Sequence, residues 1–268
     1  MLKFLLKTGY KSERLLFIPL CGFKGDNLLF TYEDPSSSWY KGPTLVQGLD
    51  RFEAPARSVD GPFRISVQDC YKGGFGGLGG DITISGRVES GSVQIGDQLL
   101  ALPINENGVV KGILRFIPAI ELNEVSSKYA VCGDRISISL NGFEVQQIGA
   151  GTILCEPEYP LKVTQNFNAQ IMVLDINSPL TIGVPVVLHY IGSAEPAFLK
   201  VLAATIDKNG ATIKKNPRFL CSGATALVEI QVGCGIPMES FQNCKGLGRF
   251  TLRSASVSVA VGIVIELL

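Results

Sequence analysis

The sequence predicts a mainly β protein: a short α/β segment at the N-terminal end, followed by two β-barrels. Three observations predict it. At Phe63 the hydrophobic pattern changes from apolar runs and helical spacing to strict alternation. From there on, strand-length segments recur between Gly, Asn, Asp and Pro residues, the spacing of barrels and sandwiches. Prolines then punctuate the chain at Pro55 and Pro62, and again at Pro157 and Pro160. They divide it into residues 1–53, a linker at 54–61, a first barrel at 62–157 and a second at 158–268.

The elements follow in order. "LKFLLK" before Gly9 reads as the last turns of an amphipathic helix with a glycine stop. "LLFIPL", residues 15–20, is a continuous apolar run and predicts a buried parallel strand. "CGFKGDN" is then a loop at the carboxyl end of that strand, where open α/β sheets place ligands. In "PTLVQGLDRF", Leu45, Val46, Leu49 and Phe52 lie at helical spacing, with Pro43 suited to the first turn. The first barrel is built from "FRISVQDCY", "DITISGRVES", "DQLLALP", "VVKGILRF", "DRISISL" and "GTILCEP". The second is built from "LKVTQNFNAQIMVLDI", "GVPVVLHYI", "AFLKVLAATID", "ALVEIQV", "GRFTLRS" and "VSVAVGIVIEL". "NENG" at 105–108 and "DKNG" at 207–210 are hairpin turns, for which Asn-Gly is a strong signal.

Composition excludes several chemistries. The formal net charge is zero, so there is no global nucleic-acid footprint and no DNA partner is expected. The seven cysteines are odd in number and include no CxxC, which argues against a disulfide framework or a cysteine zinc site. They read as small buried hydrophobes in a reducing, cytoplasmic setting. "VSVAVGIVIELL" is too short to span a bilayer, so no membrane partner is expected. No HExxH or EF-hand loop occurs, so no metal ligand is assigned. His189 is the single histidine and has no paired nucleophile, so no catalytic residue is assigned and a structural role is favoured for it.

The glycine run "YKGGFGGLGGD", residues 71–81, is not a phosphate cradle. It lacks a following Lys-Ser/Thr and enters a strand instead of a helix, so no helix N-terminus faces an anion. It reads as a long hairpin loop whose tip, at Gly74, Phe75 and Gly76, is free to touch a partner. "KKNPR" at 214–218 and "LGRFTLR" at 247–253 read either as solvated faces or as contacts to RNA or protein.

"GFKGDN" followed by "WYKGPTLVQGLD" resembles the end of the GTPase domain in the elongation factor 1-alpha family. "PFRISVQDCYKGGFGGLGGDITISGRVESGSVQIGDQLLALP" resembles the start of that family's second domain. "PRFLCSGATALVEI" and "LGRFTLRSASVSVAVGIV" resemble its third. Within the family, "RSVDGPFR", "GDQLLALP", "VVKGI" and "VPVVLHYIGSAEPAFLK" are similar to the HBS-like GTPases, ribosome-rescue partners of Pelota.

The resemblance implies that residues 1–53 are the C-terminal remnant of an α/β GTPase domain. The P-loop, switch regions, catalytic histidine and NKxD motif of the family would lie before Met1. Cys21, Gly22 and Phe23 occupy the place of the family's Ser-Ala or Ser-Gly triplet, where a backbone N–H meets the guanine O6. One such donor is worth roughly 1–2 kcal/mol, far less than the phosphate and magnesium contacts of a GTPase. The intact family uses GTP or GDP with magnesium; this chain alone is expected neither to bind nor to hydrolyse GTP. The implied partners are a Pelota-type protein and the small ribosomal subunit, met by a monomer. The implied contacts are the loop at Gly73–Gly80 and, on the second barrel, His189, Tyr190, Glu195, Pro196, Arg249 and Arg253. The alternatives are a relative of elongation factor 1-alpha or release factor 3, carrying aminoacyl-tRNA or a release factor, and a short isoform acting only as a binding module. Residues 1–53 are expected to be less stable than the barrels, because a cut α/β sheet exposes apolar edges.

Overall fold

The computed structural model describes residue 2 and residues 12–31, 39–53, 57–73, 81–116, 124–176, 178–207, 211–255 and 257–268. Packing separates the chain into two compact units, Met1–Ala56 and Arg57–Leu268.

In the first unit, the predicted strand at 15–20 does not form. The segment pairs with no strand among the described residues, and Leu16, Phe17 and Leu20 are about half exposed. A parallel strand needs neighbours to bond its backbone and cover its faces, and the described residues of this unit offer none. The predicted helix does form, as α1 (Leu45–Asp50). Its start is set by a capping box: the Thr44 side chain accepts from the Gln47 N–H, and the Gln47 side chain accepts from the Thr44 N–H. Pro43 therefore precedes the cap and is not in the first turn. The buried Asn27 joins loop to helix, its Nδ2 donating to Pro19 O at 2.7 Å and its carbonyl accepting from Leu45 N at 3.0 Å. The helix-like start at residues 3–7 lies outside the described residues.

The second unit holds two closed rings of strands. The first comprises β1 (Arg64–Lys72), β2 (Ile82–Ser90), β3 (Ser92–Gln94), β4 (Gln98–Leu102), β5 (Glu106–Phe116), β6 (Glu124–Ser127), β7 (Tyr129–Val131), β8 (Arg135–Asn141) and β9 (Ile153–Cys155). Its sheet runs β4-β9-β1-β2-β8-β5-β6, and β4 also pairs with β5. That closes six strands into a barrel, with β6 added outside the ring on β5. β3 and β7 pair separately.

The second ring comprises β10 (Lys162–Val173), β11 (Leu180–Thr181), β12 (Pro185–Tyr190), β13 (Ser193–Ile206), β14 (Thr212–Lys215), β15 (Phe219–Leu220), β16 (Thr225–Met238), β17 (Arg249–Ser254) and β18 (Val257–Leu267). Its order is β12-β17-β18-β10-β16-β13-β14, closed by β12 on β13, with β11 and β15 apart. Closure removes sheet edges, which suits a chain with so many alternating apolar segments.

The predicted hairpins are visible in register. β1 and β2 are antiparallel, Lys72 faces Ile82, and Gly73 N donates to Asp81 O at 2.8 Å. The glycine run is thus the connection of a hairpin; Gly74, Phe75 and Gly76 at its tip lie outside the described residues. β13 and β14 pair antiparallel, with Asp207 N donating to Ala211 O at 2.8 Å on either side of the predicted turn, whose residues 208–210 lie outside the described residues. "NENG" is displaced. The turn ends at Asn105, which takes the left-handed conformation (φ 66°), and Gly108 already lies in β5. A Cβ at Gly108 would collide with the Phe143 ring, so packing requires glycine there.

Each barrel has its own apolar centre, with Phe63, Ile65, Ile84, Ile136 and Ile138 fully buried in the first and Phe167, Leu188, Leu199 and Ile230 in the second. Leu100, Leu102, Ile153 and Cys155 of the first barrel belong to the second barrel's core cluster, so the apolar interior continues across the junction. Arg64, almost wholly buried, crosses the same junction with Nε 3.4 Å from Glu239 Oε2. All seven cysteines are free. Only Cys132, Cys155 and Cys244 are buried, while Cys221 and Cys234 are exposed, so the expectation of uniformly buried thiols is corrected.

Candidate partner-binding surface

The second barrel arranges the predicted contact residues by the two-residue period of its strands. In β12, Val186, Leu188 and Tyr190 are buried, while Val187 and His189 between them face outward. In β17, Phe250 and Leu252 point in, and Arg249, Thr251 and Arg253 share the other face. Register then builds two outward rows. His189 lies opposite Thr251 on one side and Ala194 on the other; Val187 lies opposite Arg253 and Pro196. Four predicted residues therefore share one face: His189, Pro196, Arg249 and Arg253.

Two do not. Tyr190 is 2% exposed and its hydroxyl donates to Leu247 O at 2.8 Å, so it is a structural residue and offers nothing to a partner. Burial raises its phenol pKa well above the ordinary value; the Cys244 thiol and the Glu239 and Glu89 carboxylates push it the same way. Glu195 stands opposite the buried Leu188 and shares the face of Ala197 and Leu199, so it is half-buried at the barrel rim. Sequence proximity grouped these two with His189; strand alternation separates them.

Beside the rows runs a groove of about 500 Å³ lined by His189, Arg249, Gln170, Met172, Thr251 and Ile263, among others. Met172 is 48% exposed there. Arg249 also lies over the Phe241 ring at 5.1 Å, a cation–π contact that holds its guanidinium at the groove edge. A cation, an imidazole and an exposed thioether on a rigid sheet suit recognition of a protein surface with mixed apolar and acidic character. Val187, Thr251 and Met172 were not anticipated; counting the period along β10, β12 and β17 would have found them.

In the first unit, Cys21, Gly22 and Phe23 form a tight turn. Cys21 N donates to Asp26 O at 3.2 Å, and Gly25 N donates to Cys21 O at 2.9 Å. Phe23 is fully exposed, and a Cβ on Gly22 would meet nothing within 4 Å. Among the described residues, no group of His, Cys, Asp or Glu could hold a metal ion, and no helix is long and apolar enough to cross a membrane.

Comparison with known proteins agrees with this architecture. The GTP-eEF1A C-terminal domain-like family matches residues 166–265, nearly all of the second barrel. Protein HBS1 of Drosophila melanogaster is 35% identical over 98% of this chain, and elongation factor 1-alpha of Cenarchaeum symbiosum is 34% identical over 97%. The chain spans 38% of the former's length and 57% of the latter's. The crystal structure of sup35 complexed with GDP superposes with a TM-score of 0.71 at 28% identity, covering 98% of this chain and 62% of that one. With relatives over nearly its full length and the two-barrel fold in common, the chain is similar in both sequence and architecture to members of the elongation factor 1-alpha family.

Proposed function

We propose that this chain is the partner-binding part of an HBS-like translation factor, with the two barrels engaging a Pelota-type protein and the small ribosomal subunit in the cytoplasm. The observation that carries the reading is the outward face of the second barrel, where His189, Pro196, Arg249 and Arg253 adjoin a groove, in a chain 35% identical to HBS1. A mixed polar and apolar face on a closed barrel supports recognition of a folded protein better than catalysis. In this reading residues 1–53 are the end of a guanine-nucleotide domain, and the turn at Cys21–Phe23 is its guanine-side remnant. That turn supplies backbone groups but no cluster of charges for phosphates, so the chain acts as a monomeric adaptor and does not turn over GTP by itself.

A second cargo reading rests on one observation: elongation factor 1-alpha relatives are nearly as similar, at 34% identity. Competition separates the two. Purified Pelota is expected to bind the immobilised chain and to resist displacement by aminoacyl-tRNA. Retention of aminoacyl-tRNA with no retention of Pelota would overturn the HBS-like reading. Labelled GDP is expected to show no saturable binding to this chain; micromolar affinity would refute the adaptor role.

A further inference from the structure

Where the barrels meet, a second cleft of about 470 Å³ is lined by Arg87, Arg135 and Arg249, together with Glu89, Gly192 and Gly246. Arg87 on β2 and Arg135 on β8 are register partners, so two like charges start from directly opposed positions. Such pairs destabilise an antiparallel ladder unless something neutralises them. All three arginines are exposed, and none forms an ion pair with a described residue. Local acids are already engaged. Asp134 pairs with both Arg57 and Arg115, and Glu89 accepts a hydrogen bond from Ser66 Oγ at 3.2 Å. Gly192 and Gly246 put no side chains into the opening.

We infer that this cleft binds carboxylates of a protein partner: a short acidic segment gripped by Arg87 and Arg135 and flanked by Arg249. The inference rests on the reading that the barrels carry a protein. Arg249 lines both this cleft and the outer groove, so one partner can occupy both. A guanidinium offers two parallel N–H donors that match a carboxylate. RNA fits less well, because its affinity comes from many phosphates along a basic track. Here the cations form one site of three arginines and not an extended track, in a chain of zero net charge.

The test is fluorescence anisotropy on the full chain with two labelled probes, hexaglutamate and a six-nucleotide oligouridylate. Hexaglutamate is expected to bind, and Arg87→Gln and Arg135→Gln are each expected to weaken it at least tenfold. Lys214→Gln, which removes an exposed charge on β14 away from the cleft, is expected to leave it unchanged. Thermal melts of the variants should be no lower than the parent's, since both arginines are exposed and either change removes the like-charge opposition. Equal weakening by Lys214→Gln, no weakening by the cleft variants, or tighter binding of oligouridylate than of hexaglutamate would each overturn the inference. Neither probe involves Pelota. Loss of Pelota binding with intact hexaglutamate binding therefore counts against the cargo alone, and the reverse pattern counts against the cleft alone.

Discussion

Tyr190 and His189 are neighbours in sequence and opposites in role. Tyr190 is sealed in the second barrel with its hydroxyl on Leu247 O; His189 faces the groove. Tyr190→Phe leaves that carbonyl without the hydroxyl and is expected to cost about 1–2 kcal/mol, read as a lower urea midpoint at unchanged slope. The same residue makes stability sensitive to alkali. Burial raises the pKa of Tyr190 above 10.0 and those of Cys155 and Cys244 above 9.0. The folded state holds these protons after the unfolded state has released them. Stability is therefore fully present below the ordinary thiol and phenol values and falls as pH rises past them. Urea midpoints should be level from about pH 7 to 8.5 and decline above about pH 9, less steeply in Tyr190→Phe above pH 10. A midpoint that rises with alkali would contradict the assignment. The groove residues could be read one at a time from the sequence, but their assembly could not: Thr251 meets His189 only through the β12–β17 register, and Arg87 meets Arg135 only through β2–β8.

At the scale of elements, the barrel strands were legible because alternation is dictated by a sheet with one buried face. The glycine-run hairpin was legible for the same reason, with β1 and β2 on either side of it. "LLFIPL" was misread because an apolar run specifies burial only if neighbouring strands exist to bury it, and it stays half exposed. The helix at Leu45–Asp50 was found from its apolar spacing, but its boundary came from Thr44 and Gln47, three residues apart, a capping-box signature that the sequence carries openly. Val46, Leu49 and Phe52 keep that spacing yet remain exposed at 38%, 52% and 75%, so little burial supports the helix. The cap then matters more than usual. Thr44→Ala should cost about 1 kcal/mol locally, seen as several-fold faster hydrogen exchange at the first-turn amides. Unchanged exchange there would show that the cap contributes nothing.

At the scale of the molecule, the two barrels share an apolar junction and an ion pair whose arginine is buried. Glu239→Ala would leave the Arg64 guanidinium, 4% exposed, without its carboxylate. The expected loss is about 3 kcal/mol or more, because an uncompensated buried charge is costly. Adding Arg64→Met should restore most of it, and calorimetry would report both changes. If Glu239→Ala melts like the parent, the pair is not a strut between the barrels. Such a strut matters because the outer groove and the arginine cleft are both lined by Arg249 and must stay in fixed relation for one partner to span them. The most direct measurement of the central claim is calorimetric titration of purified Pelota into this chain and into a His189→Ala, Pro196→Asp variant. The account predicts saturable binding that the double variant weakens at least tenfold while its melting temperature is unchanged, and a Glu195→Gln control that binds like the parent. A folded parent chain that gives no heat of binding with Pelota, or a double variant that binds as well as the parent, would contradict it.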